Sequence, residues 1–140
     1  MNEERILAID YGKKRIGLAI TDPLKMFAYP FDTLPNDPAV IERLKKIIDE
    51  KNVVKVIMGD PVREDGKVSV MKEEIDKFKK LLEKNSGIDI ELVDERYTSE
   101  LAKRRIFETV SSRKKRRDKS LVDKNAAAIM LEDYLKENQY

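Results

Sequence analysis

Three acidic positions in this sequence sit where an acid is costly unless it has work to do. Asp10 closes the apolar run "ILAI", and Asp94 with Glu95 closes "IDIELV". Asp123 lies in "LVDKNAAAIMLEDYLKEN". Helical spacing of about 100° per residue puts it on one face with Ala127, Met130 and Tyr134, away from the polar side of Asn125, Glu132 and Lys136. A carboxylate within an apolar arc costs free energy unless it is paired or coordinates a cation. Each acid also has a plainer use. Asp10 could simply form the Gly-containing turn that follows it, Asp94 and Glu95 could cap a helix, and Asp123 could sit in a helical first turn, favoured by the dipole. Together, two acids at strand ends and one on a helix describe a cluster that repels itself unless a cation neutralises it.

Composition narrows the chemistry. The 140 residues contain no histidine and no cysteine, which excludes a Ser-His-Asp triad, an imidazole base, a thiol nucleophile, disulfides and thiolate metal sites. Oxygen-only ligands favour Mg²⁺ or Mn²⁺. The net charge is only +2, but residues 100 to 119 carry nine Lys or Arg against three acids, leaving the remainder acidic. "RKKRRDK" alone holds six cations in seven residues. Such a run usually means a solvated loop, yet it also matches phosphates, which bind through counterion release. Phe107 is the nearest aromatic, so Arg113, Lys114, Lys115, Arg116 and Arg117 are expected to grip backbone without stacking on bases or reading sequence. Carboxylates with metal beside a basic surface point to metal-assisted phosphodiester hydrolysis, in the usual form with two ions about 3.5–4 Å apart.

The elements that must position these groups follow from periodicity. "RILAID" and "RIGLAITD" read as a hairpin across a Gly-containing turn, and "AYPFDTL" (28–34) as a third strand that Pro30 suits to an edge. "NDPAVIERLKKIIDEK" predicts an amphipathic helix with Asp37 as N-cap and Pro38 at the first helical position. "VVKVIMGD" is a central apolar strand, and "SVMKEEIDKFKKLLEK" a helix with Val70, Ile75, Phe78, Leu81 and Leu82 inward. "GIDIELVDER" supplies a further strand and "TSELAKRRIFETV" a helix. "SSRKKRRDKS" reads as loop, and a last helix runs from Leu121. This order is mixed α/β, one domain over residues 1–140, with an antiparallel start and parallel crossovers after it. No apolar run approaches the roughly 20 residues of a membrane span and no signal peptide is visible, so the expected location is the cytoplasm, with no membrane partner.

Four blocks in order, "AIDYGKKRIGLAITD", "GDPVREDG", "VDERYTS" and "VDKNAAAIML", resemble the YqgF/RuvX family, whose ribonuclease H-like fold is related to the RuvC resolvases. The resemblance spans nearly the whole chain. It implies a mixed five-stranded sheet flanked by helices, and a metal-binding catalytic triad of Asp10, Glu95 and Asp123. It also implies phosphate contacts from Lys13 and Arg15, with Arg96 and Thr98 bracing the site against nucleic acid. Family members are described as nucleases that process the 5′ end of pre-16S rRNA, which implies precursor rRNA or precursor ribosomal particles as partners, and earlier as Holliday junction resolvases. Two positions depart from the family pattern. Gly59-Asp60-Pro61 stands where the family has Gly-Leu-Pro, which makes Asp60 either a fourth acid of the metal site or a turn aspartate before proline; Tyr97 replaces a common leucine.

Three other readings compete with the ribonuclease: the same chemistry on branched DNA, a non-catalytic rRNA-binding assembly factor, and a small-molecule kinase. Strand-Asp-x-Gly also opens sugar-kinase folds. A kinase of that type needs two domains and further phosphate loops, which 140 residues and five glycines do not provide.

Overall fold

The computed structural model describes residues 3–60, 71–94 and 119–138. Five strands, β1 (Arg5–Asp10), β2 (Arg15–Thr21), β3 (Ala28–Pro35), β4 (Val53–Asp60) and β5 (Ile90–Asp94), form one sheet in the order β3-β2-β1-β4-β5. β1 pairs antiparallel with β2, and β2 with β3; β4 pairs parallel with β1 and with β5. The expected mixed sheet is therefore the observed one, and β3, which carries Pro30, is an edge strand.

Strand alternation sorts the residues onto two buried faces. Leu7, Ile9, Ile16, Leu18, Val56 and Met58 face α1 (Val40–Glu50) and α2 (Lys72–Ser86), where Leu44, Ile48, Ile75, Phe78 and Leu82 complete the larger core. Ile6, Ala8, Ala19 and Ile57 face α3 (Lys119–Glu137), against Ala127, Ala128, Met130, Leu131 and Tyr134. Alanines on both sides of this second face, Ala8 and Ala19 on the sheet and Ala127 and Ala128 on the helix, let α3 lie close across β1, β2 and β3. Among the described residues no helix is long and apolar enough to cross a membrane.

Three local expectations change. α1 starts at Val40, with Ala39 at its N-cap, because Pro38 sits in a turn; the Asp37 side chain accepts from the Ala39 N–H at 3.0 Å and pairs with Arg43. Leu81 is half exposed, since the adjacent Leu82 takes the inward position. α3 begins two residues earlier than expected, at Lys119. α2 ends in a left-handed cap at Gly87, φ 74°, whose N–H reaches the Glu83 carbonyl.

Candidate active site

The parallel pairing of β1 with β4 and of β4 with β5 brings the carboxyl ends of these strands to one edge of the sheet, and each ends in an aspartate: Asp10, Asp60 and Asp94. Their faces differ. Alternation places Asp10 with Ile6 and Ala8 on the α3 side, whereas Asp60 follows Val56 and Met58 to the other side. There Lys72, the first residue of α2, holds Asp60 at 3.3 Å and also reaches Asp76 at 3.5 Å. Asp10 and Asp60 thus lie on opposite sides of the sheet.

What meets Asp10 on its own side is α3. Asp10 pairs with Gly17 across the antiparallel ladder. Gly17 faces the helix so closely that an added Cβ would overlap the Asp123 carbonyl and lie 2.9 Å from the Lys124 nitrogen. Only glycine lets the backbone of β2 support this turn of α3 directly. Asp10 and Asp123, 113 positions apart in the chain, therefore share one corner. The Arg15 Nε–H donates to Asp123 Oδ2 at 3.0 Å, with side chains 36% and 25% exposed. The expected pairing of Asp123 with a cation is met here by a guanidinium.

The turn joining β1 to β2 is fixed from three directions. A Cβ at Gly12 would lie 2.5 Å from the Arg15 carbonyl oxygen, so the tight return also needs glycine. The Asn36 side chain donates to the Gly12 carbonyl at 2.8 Å and its backbone N–H to that of Lys14 at 2.9 Å. The Tyr11 ring packs on Phe78 at 5.0 Å between centroids. Lys13, well exposed, leans toward Glu74 at 4.0 Å. Asn36, Lys72 and the Arg15–Asp123 pair were not legible as site components in the sequence. Asn36 reads only as a turn residue, and the two ion pairs join separate elements.

Glu95, Arg96, Thr98, Arg113, Lys114, Lys115, Arg116 and Arg117 lie outside the described residues. Among the described residues no three acids converge as a metal cage. The donor set at the corner is still suited to a hard divalent ion: two carboxylates, oxygen only, with one of them already holding a cation.

The opposite end of the sheet is different in character. Asp22 organises the β2–β3 turn, accepting from the backbone of Leu24, Met26 and Phe27 at 3.0, 3.0 and 2.7 Å. Partial burial works against its charged form, but these three N–H groups outweigh it and hold the carboxyl below the usual range. A cavity of about 400 Å³ opens there between the turn and α3, lined by Met26, Phe27, Tyr29 and Leu135, far from the strand-end acids.

The model of the RuvX family, described as Holliday junction resolvase, matches residues 4–137. Relatives carrying the name "Putative pre-16S rRNA nuclease" include one from Azobacteroides pseudotrichonymphae, 42% identical over 132 residues, covering 94% of this chain and 95% of the relative. Another, from Christiangramia forsetii, is 40% identical over 134 residues, covering 95% and 98%. Among solved structures, Thermus thermophilus RuvC in complex with a Holliday junction substrate superposes with a TM-score of 0.59 at 12% identity, covering 96% of both chains. That likeness shows a shared ribonuclease H-like fold.

Proposed function

The chain belongs to the RuvX family, and on that premise we propose that it is a metal-dependent nuclease that trims precursor 16S rRNA at its 5′ end. The observation that supports this reading is the corner where Gly17, paired with Asp10 across the ladder, receives the α3 backbone at Asp123. An acid at the end of β1 and another on the turn of α3 that rests on β2 are poorly explained as turn formers. Asp10 and Asp123 would hold Mg²⁺ or Mn²⁺. Glu95, which lies outside the described residues, is the third ligand of this proposal because the family resemblance implies it. Asp60 is left to Lys72. Bound ions in such sites polarise the phosphoryl oxygen and activate water.

The chain's own residues supply the rest. Gly12, Asn36 and the Tyr11–Phe78 contact fix the turn, so Asp10 would receive the ion without a reorganisation cost. Lys13, exposed on the same turn but leaning toward Glu74 of α2, would provide charge for a flanking phosphate from that side. The basic run from Arg113 to Arg117 would hold the backbone of the RNA, independently of sequence.

A second reading, cleavage of branched DNA, draws support from the description of the family model and from the RuvC fold. Both readings use the same corner. The deciding experiment offers precursor 16S rRNA and a four-way DNA junction side by side, with Mg²⁺ or Mn²⁺. Cleavage of the RNA alone supports the first reading, and cleavage of the junction alone replaces it with the second. Cleavage of neither leaves the assembly-factor reading in place of an enzyme.

A further inference from the structure

Arg15 and Asp123 form the one described ion pair that joins the turn bearing Asp10 to helix α3. Its geometry is that of an exchangeable contact. Both side chains keep solvent access, about one third and one quarter exposed, and a solvent-screened pair is weak enough to be replaced by a better counter-ion. Among the described residues the guanidinium bonds only through Nε, along one edge of its fork. An arginine differs from a lysine in this respect, because the remaining N–H groups can take a phosphate in a planar, paired geometry. Lys72 makes the useful contrast: it is held between Asp60 and Asp76 on the other side of the sheet, with two carboxylates to keep it there.

We infer that Arg15 is a cation shared between the metal-free and metal-bound states of the site. Without metal it neutralises Asp123 and relieves the repulsion between that acid and Asp10. When a divalent ion takes Asp123, the guanidinium is released and becomes available to substrate phosphate. Metal binding thereby arms a phosphate-binding residue, which orders the two events: ion first, nucleic acid second. Arg15 is a positioning residue in one state and a substrate contact in the other. This inference rests on the metal reading of the same corner proposed above.

The test is Mn²⁺ binding by the full chain without nucleic acid, followed through the electron paramagnetic resonance signal of the free ion. A brace that holds Asp123 in place for the metal and a competitor that must leave predict opposite signs. Arg15→Gln should bind Mn²⁺ roughly five-fold more tightly than wild type, equivalent to about 1 kcal/mol. Equal or weaker binding by the variant, with wild type binding normally, overturns the exchange and leaves the metal site standing. No binding by wild type overturns both. A second measurement needs no substitution. In the wild-type chain the Arg15 Nε–H resonance should shift and exchange faster with solvent when Mg²⁺ is added, and inorganic phosphate should then move it further. A resonance that ignores saturating Mg²⁺, or that responds to phosphate equally without metal, refutes the proposal.

Discussion

Replacing Gly17 with alanine puts one methyl group between the two halves of the site. The new Cβ would overlap the Asp123 carbonyl, and its next neighbour is the Lys124 nitrogen at 2.9 Å, so its three nearest neighbours are all helix backbone. No side-chain rotation can relieve the clash. An ordinary carbon contact needs about 3.5 Å, so α3 must retreat from β2 by about 1 Å at this turn. Overpacking of this kind costs about 1–3 kcal/mol. In a chain of this length that lowers Tm by about 3–10 °C. The retreat also separates Asp123 from Asp10 and stretches the 3.0 Å bond to Arg15. A misplacement of about 1 Å at reacting groups costs about 100-fold in rate. Differential scanning calorimetry gives the first number and single-turnover cleavage of precursor rRNA the second. A Gly17→Ala variant with wild-type Tm and wild-type cleavage would refute the claim that α3 rests on the β2 backbone there.

Gly87→Ala is the matching control. Its φ of 74° strains alanine but nothing lies within contact of an added methyl, so a loss of about 1 kcal/mol in chemical denaturation with unchanged cleavage is expected. Asp22→Ala removes the acceptor of three backbone N–H groups at the far turn and should cost about 1–2 kcal/mol, read by the same denaturation series. Because the Asp22 carboxyl is depressed in the folded chain, its contribution is complete above the unfolded value near 4. It fades as pH falls through the lower folded value, so wild type and Asp22→Ala should converge in stability under acid. Exchanging Arg113, Lys114, Lys115, Arg116 and Arg117 for Gln should weaken RNA binding for all sequences. The slope of log affinity on log salt should flatten by up to about 3.5 for a single strand; an unchanged slope removes the basic run from the interface.

Much of the frame could be read from the chain because its elements are short-range objects. The alternation in "RILAID" and "RIGLAITD" and the 3.6-residue spacing in "VIERLKKIIDE" encode strands and helix locally. The small residues Ala8, Gly17 and Ala19 even mark, by parity, the face that α3 covers. Asp60 was harder, because "VVKVIMGD" is apolar on both faces and hides which way its last residue turns. Leu81 and Leu82 are adjacent and chemically alike, so periodicity alone could not choose the inward one. Pro38 satisfies the rules for a first helical residue, yet the turn closed by Asp37 delays the helix. The Arg15–Asp123 contact spans 108 positions, and no local rule reports which distant carboxylate an arginine will choose.

The central claim is that Asp10 and Asp123 together hold the metal that cuts the phosphodiester. Its most direct measurement pairs Asp10→Asn and Asp123→Asn with wild type, in Mn²⁺ and in EDTA, scoring cleavage of precursor 16S rRNA and the Mn²⁺-induced rise in Tm. The account predicts that wild type cuts only with metal, and that each variant folds but loses both the cleavage and the metal-induced rise. A variant that keeps wild-type cleavage and its Mn²⁺ shift, or cleavage by wild type that persists in EDTA, would contradict it.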